Sequence, residues 1–138
     1  MISQKKFWES SKVLERRHPS HPVIEAVVKP KVKIINDRLI NKPNSDITIE
    51  RRTLLDIGSG NGFFAYYLNC FFKVTCLDFS KNILSVCPLD DKIQASATGL
   101  PFKDNSYDVV FCANLLHHME DPLSVLSEML RVTSRHIV

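Results

Sequence analysis

The sequence predicts an α/β fold, a doubly wound and mostly parallel sheet with helices on both faces, and three observations carry that prediction. From Thr53 onward, short apolar runs alternate with helix-spaced ones, an order that sets successive strands parallel with a helix crossing between them. The first apolar run leads into a glycine-rich turn, Asp56-Ile57-Gly58-Ser59-Gly60-Asn61-Gly62. The second ends in an acid, Asp78. Open α/β sheets bind ligands at the carboxyl ends of their strands, where the strand order reverses. Both features fall at such ends.

The elements follow in order. Residues 3–17 read as a short helix with Phe7, Trp8, Ser11 and Leu14 on one side. His18-Pro19-Ser20-His21-Pro22 breaks it, because proline disfavours helix at and before its own position. Helical spacing resumes from Ile24 to Ile40, with Ile24, Val27, Val28, Ile35 and Leu39 on a shared face and Pro30 marking a kink or boundary. Asn41 to Ser45 is a loop by composition. Thr53 to Ile57 is a strand, Phe63 to Phe72 a helix, Lys73 to Asp78 a strand and Ser80 to Val86 a short helix. Lys92 to Ala95 is a short strand and Tyr107 to Ala113 a strong one. Pro122 to Arg131 is a helix that Asp121 can cap, with Leu123, Leu126, Met129 and Leu130 as its apolar stripe. His136 to Val138 reads as the opening of a fifth strand, where the sheet is truncated. The chain thus divides into an N-terminal helical segment, 1–52, and a core, 53–138.

Bulk properties bound the class. At 138 residues there is room for one domain, and a domain of that size buries about two thirds of its unfolded surface. Apolar content of 44% and charged content of 24% exclude a disordered or fibrous chain. The net charge of +3 is unevenly placed: residues 1–52 hold twelve Lys and Arg against six Asp and Glu, and the remainder six against nine. A basic lead segment is one way to meet nucleic acid or a membrane surface. Here the basic residues are interleaved with acidic and apolar ones, so a solvated helical face is the stronger reading. Cys70, Cys76, Cys87 and Cys112 form no CxxC pair, and Cys112 with His117 and His118 fits no standard zinc spacing. Lys5, Lys6 and Glu9 lie where a secretory signal needs an apolar stretch. The longest apolar run, 63–72, is far shorter than the ~20 residues that span a bilayer. A soluble, cytoplasmic protein is expected.

Glycines at 58, 60 and 62 let the chain turn sharply from strand to helix and let a ligand approach the backbone with no Cβ in the way. The dinucleotide fingerprint GxGxxG fails, because Phe63 stands where its third glycine belongs. A purely structural turn is the bland alternative. Asp78 has the chemistry to accept two hydrogen bonds from a ribose diol; its bland alternative is a cap for the helix that follows.

Read with Leu100-Pro101-Phe102-Lys103-Asp104-Asn105-Ser106-Tyr107-Asp108-Val109-Val110, these motifs resemble the class I (Rossmann-like) S-adenosylmethionine-dependent methyltransferases, in particular the small-molecule group typified by ubiquinone and menaquinone biosynthesis enzymes. LLDIGSGNG resembles their first motif, VTCLDFS their second, and LPFKDNSYDVVFCANLLHHMEDP the run through their fourth strand. The resemblance covers residues 53–138. It implies S-adenosylmethionine as cofactor, S-adenosylhomocysteine as product and a small-molecule methyl acceptor. It also implies roles for nine residues. Gly58, Gly60 and Gly62 would pass beneath the methionine portion, Asp56 would orient that loop, and Asp78 would hold the ribose. Phe79 would lie against the adenine, Ala97 would offer it a backbone N–H, and Asn114 would face the transferred methyl. Ser96 stands where family members usually carry an aspartate, so the adenine amino group would meet a hydroxyl without a charge. His117 and His118 have a substrate-facing reading and an equally good structural one, and no catalytic residue is assigned. The resemblance further implies a seven-stranded sheet, which leaves two readings: an active methyltransferase, or a non-catalytic or partner-dependent cofactor-binding remnant whose open sheet edge pairs with another chain or copy.

Overall fold

In the computed structural model of the chain, residues 16–39 and 52–138 are described, together with Lys6. Five strands form one sheet: β1 (Thr53–Ile57), β2 (Lys73–Asp78), β3 (Lys92–Gln94), β4 (Tyr107–Phe111) and β5 (Thr133–Ile137). Their spatial order is β3-β2-β1-β4-β5, and every pairing is parallel. The chain winds outward from β1 through β2 to β3, then returns to β4 on the other side of β1. The reversal opens a crevice at the carboxyl ends of β1 and β4. The helices are α1 (Pro22–Leu39), α2 (Phe63–Leu68), α3 (Lys81–Ser85) and α4 (Pro122–Val132), with a 3-10 turn at Leu116–His118.

Why these residues make these strands is visible in their burial. In β1, Leu54, Leu55, Asp56 and Ile57 are all buried, as expected for a central strand sheathed on both faces. Leu54 packs on one face with α1, α2 and α3, against Val32, Leu68, Phe72 and Val109. Leu55 and Ile57 pack on the other with α4, against Val110, Val125, Met129 and Val132. Full burial of each such side chain stabilises the fold by about 1.5–3 kcal/mol. The register of β1 on β4 is pinned by Asp108, whose carboxylate accepts from the Thr53 N–H at 2.9 Å and the Thr53 hydroxyl at 3.0 Å.

Several elements depart from the sequence reading. The fifth strand begins at Thr133, directly out of α4, rather than at His136. Its polar Thr133-Ser134-Arg135 start is that of an edge strand, exposed along one side. The apolar stripe of α4 is also corrected: Leu123 and Leu130 are 73% and 66% exposed, and the buried face is Val125, Met129 and Val132. Asp121 caps that helix as expected, its side chain accepting from the Ser124 N–H at 3.1 Å. The α2 helix stops at Leu68 instead of Phe72, since Asn69 to Phe71 form turns. β3 and β4 are shorter than expected, ending at Gln94 and Phe111. Pro30 lies inside α1, which runs unbroken from Pro22, and Val27 is exposed rather than on the shared face. Residues 16–18 carry no regular structure. The rest of the helix expected over 3–17, and the loop over 41–45, lie outside the described residues, Lys6 apart. No helix among the described residues is long and apolar enough to cross a membrane.

Candidate functional site

The glycine-rich turn is tied to the end of β2. The N–H groups of Gly58 and Ser59 both donate to the Leu77 carbonyl, at 2.8 and 3.0 Å, and Gly62 N–H donates to the Ser59 carbonyl at 2.9 Å. The Gly60 N–H donates to Asp78 Oδ2 at 3.0 Å. Holding the turn this way puts Gly58, Gly60 and Gly62 at φ of 71°, 57° and 80°, the left-handed region where a Cβ is costly.

The three glycines serve different neighbours. A Cβ at Gly58 would sit 3.0 Å from a methyl of Leu115, so glycine lets the β1 turn close against the segment after β4. A Cβ at Gly62 would sit 2.6 Å from the sulfur of Cys87, behind the loop. A Cβ at Gly60 would meet only the end of Ile83, at 3.6 Å. Its open side is the cavity.

That cavity has a volume of about 920 Å³ and lies at the carboxyl ends of β1, β2 and β4, within the usual range for small-molecule sites. Of the nine sequence-predicted residues, Asp56, Gly58, Gly60, Asp78, Phe79, Ser96 and Asn114 line it. Gly62 faces Cys87, and Ala97 is buried behind Ser96 and Thr98, which line the wall. His118 lines the cavity and His117 does not, although their ring centroids lie 3.8 Å apart, tilted at 45°. Desolvation and then its neighbour His117 lower the His118 pKa, favouring the neutral ring. Sequence reasoning missed Arg16, Asn61, Glu120 and Asp121, which also line the wall; only the position of Glu120-Asp121 just beyond β4 carried a signal.

The electrostatics separate the two aspartates. Asp56 is completely buried, and burial, with Cys87 and Asp78 nearby, pushes its pKa up to about 8. Burial also raises Asp78, but the N–H groups of Ser80, Gly60 and Phe79 oppose that shift. Asp78 is not the cap of α3. That place belongs to Ser80, whose hydroxyl accepts from the Ile83 N–H at 3.4 Å. Asp78 Oδ1 accepts from the Ser80 N–H at 3.0 Å and Oδ2 from the Gly60 N–H, and a carboxylate with about four acceptor sites still has room for a further donor. The buried hydroxyl of Ser59 has no hydrogen-bond partner among the described residues. Among the described residues, no three His, Cys, Asp or Glu cluster as a metal site.

The geometry defines an open α/β domain with a cavity at the carboxyl ends of its strands, and comparison with known proteins places it. Residues 55–136 match the family described as "Methyltransferase domain", and the chain belongs to that family. The demethylmenaquinone methyltransferase of Renibacterium salmoninarum is 40% identical over 85 residues, 58% of this chain and 36% of that protein. A candidate S-adenosyl-L-methionine-dependent methyltransferase of Methanococcus maripaludis is 27% identical, with a TM-score of 0.63 over 80% of this chain and 55% of that one. A SAM-dependent methyltransferase of Aquifex aeolicus shares the fold at 23% identity, with a TM-score of 0.66 over 89% of this chain and 66% of that one. The chain is therefore a methyltransferase-family domain with the class I fold, resembling the quinone-biosynthesis group. It spans about a third to a half of the length of the curated relatives it matches.

Proposed function

We propose that this chain binds S-adenosylmethionine in the cavity above β1 and β4 and presents the methyl group to a small-molecule acceptor. The observation that carries the reading is the convergence of the left-handed Gly58–Gly60 turn and the Asp78 carboxylate on one cavity wall. The cofactor supplies a methyl group already activated on a sulfonium. The chain supplies position and exclusion of water. Asp78 accepts from the ribose hydroxyls with its remaining lone pairs, and Phe79 lies against the adenine. Ser96 accepts from the adenine amino group, beside the N–H of Ala97. Asp56 steadies the glycine turn, Gly62 shapes its exit into α2, and Asn114, at φ 59° just past β4, faces the methyl. The likeness to a demethylmenaquinone methyltransferase supports a small-molecule acceptor. A soluble, cytoplasmic protein remains the expectation.

Substitution at the ribose contact tests this. Asp78→Ala is expected to weaken S-adenosylhomocysteine binding by about 1.5–3 kcal/mol, the scale of a hydrogen bond to a charged group. Affinity within a factor of two of wild type, by calorimetry, would leave Asp78 as a tie for the glycine turn alone.

A second reading is favoured by exposure along β5 and α4, where Ile137, Val138, Leu123 and Leu130 face solvent. On this reading the chain is a cofactor-binding unit that acts only when further protein covers that side. Turnover by the isolated chain, followed as S-adenosylhomocysteine released with a quinol acceptor, separates the two.

A further inference from the structure

We infer that Arg16 pairs with the α-carboxylate of the cofactor's methionine tail, so that the segment before α1 forms part of the binding site. The inference rests on the proposed S-adenosylmethionine site and assigns one more of its contacts.

The first argument is a charge inventory. The cavity wall carries Asp56, Asp78, Glu120 and Asp121, and among the described residues lining it Arg16 is the one lysine or arginine. A methionyl tail brings an ammonium and a sulfonium, which the carboxylates of Asp78, Glu120 and Asp121 complement, Asp56 being held protonated by its burial, and one carboxylate, which they repel. That group needs donors. The glycine turn offers few, because the N–H groups of Gly58, Ser59, Gly60 and Gly62 already donate to Leu77, Leu77, Asp78 and Ser59. A guanidinium is the side chain best shaped to take a carboxylate through two parallel hydrogen bonds.

The second argument is placement. Arg16 belongs to a short strap lashed across the start of α2. The Asn61 side-chain amide donates to the Arg17 carbonyl at 2.9 Å, and the buried Tyr67 hydroxyl donates to the Pro19 carbonyl at 2.9 Å. The His18 ring meets Tyr66 edge-on at 5.7 Å. Asn61 is itself in the glycine turn, so the strap's backbone is fixed one residue from Arg16 by the loop on which the methionine tail would lie. Arg16 is partly desolvated there, which lowers its pKa, while Asp78 raises it.

The test uses two ligands that differ only in the group at issue: S-adenosylhomocysteine and its decarboxylated analogue. Wild type is expected to bind the first at least tenfold more tightly. Arg16→Gln is expected to bring that ratio to within about twofold of unity while leaving affinity for the decarboxylated ligand unchanged. Arg16→Lys, which keeps the charge without the fork, is expected to fall between them, and serves alone should Arg16→Gln lose its fold by circular dichroism. A ratio near unity in wild type, or one that survives substitution, overturns the assignment; equal losses for both ligands mean that the strap merely supports the loop. Binding of neither ligand by wild type removes the cofactor reading itself, and this contact with it.

Discussion

Asp56 and Asp78 lie at the ends of neighbouring parallel strands, yet their surroundings give them opposite work. Asp78 is buried but has N–H donors on both oxygens, so its charge is compensated and remains available to a polar ligand. Asp56 is enclosed with another acid and a thiol nearby, and its pKa of about 8 stands well above the ordinary 3.8. Below about pH 4 the carboxyl is protonated whether the chain is folded or not. Between there and about pH 8 the unfolded chain gives up a proton that the folded chain keeps, so stability falls as pH rises, by up to about 1.4 kcal/mol per unit from this group. Asp56→Asn is therefore expected to flatten the decline in thermal midpoint between acidic and mildly alkaline buffer; an unaltered slope would place the charge elsewhere. The glycines make a second contrast. Gly60→Ala faces chiefly the conformational cost of positive φ, about 1–2 kcal/mol, whereas Gly62→Ala also drives a methyl into Cys87. In urea melts Gly62→Ala should lose more stability than Gly60→Ala, and Cys87→Ala introduced beside it should recover part of the loss. Equal losses would mean that the Cys87 contact relaxes freely.

At the scale of elements, α4 does more than cover the sheet. Its last turn clamps the segment that follows Ala97: Glu128 accepts from the Leu100 N–H at 2.7 Å, and Arg131 donates to the Phe102 carbonyl at 2.7 Å and the Leu100 carbonyl at 3.1 Å. Arg131 and the Leu100 N–H together hold the Glu128 pKa down to about 2. Because Arg131 is partly exposed, solvent weakens the pairing, and Arg131→Met is expected to lower the urea midpoint only modestly. Faster amide exchange confined to residues 100–105 is the signature to look for; a uniform change across the chain would deny the clamp. The elements legible in the sequence were those with the strongest burial. β1, β2 and β4 have apolar neighbours on both faces, which leaves mostly apolar runs broken only by Asp56, Thr75 and Asp108, and the Asp121-Pro122 start of α4 wrote its own cap. β5 was misread because its Thr133-Ser134-Arg135 start is polar, with Ser134 and Arg135 exposed, and carries no apolar run to mark a strand. The stripe on α4 was misread because Leu123 and Leu130 lie three and four positions from Leu126, which does pack against the core, and so match the helical period although both are exposed. Within the site, the glycine turn and Asp78 were legible because strand-end position and residue chemistry coincide. Arg16 was not: only folding brings its neighbour Arg17 to Asn61, 44 residues further along the chain.

For the whole molecule, the topology gathers the site from separate parts of the chain. The reversal of strand order between β1 and β4 opens the crevice, the β2 end ties down the glycine turn, and the strap closes one margin. Nothing in that assembly requires a dinucleotide. Phe63 stands where a close-packing glycine would let the helix approach, and among the described lining residues the acidic side chains outnumber the single arginine, Arg16, which suits a sulfonium better than a pyrophosphate. Calorimetric titration of the folded chain with S-adenosylhomocysteine, with NAD as the control, tests this most directly. The account predicts micromolar binding of S-adenosylhomocysteine, lost in Gly60→Val, and no heat from NAD. A folded chain that bound NAD in this cavity, or that bound neither ligand, would contradict it.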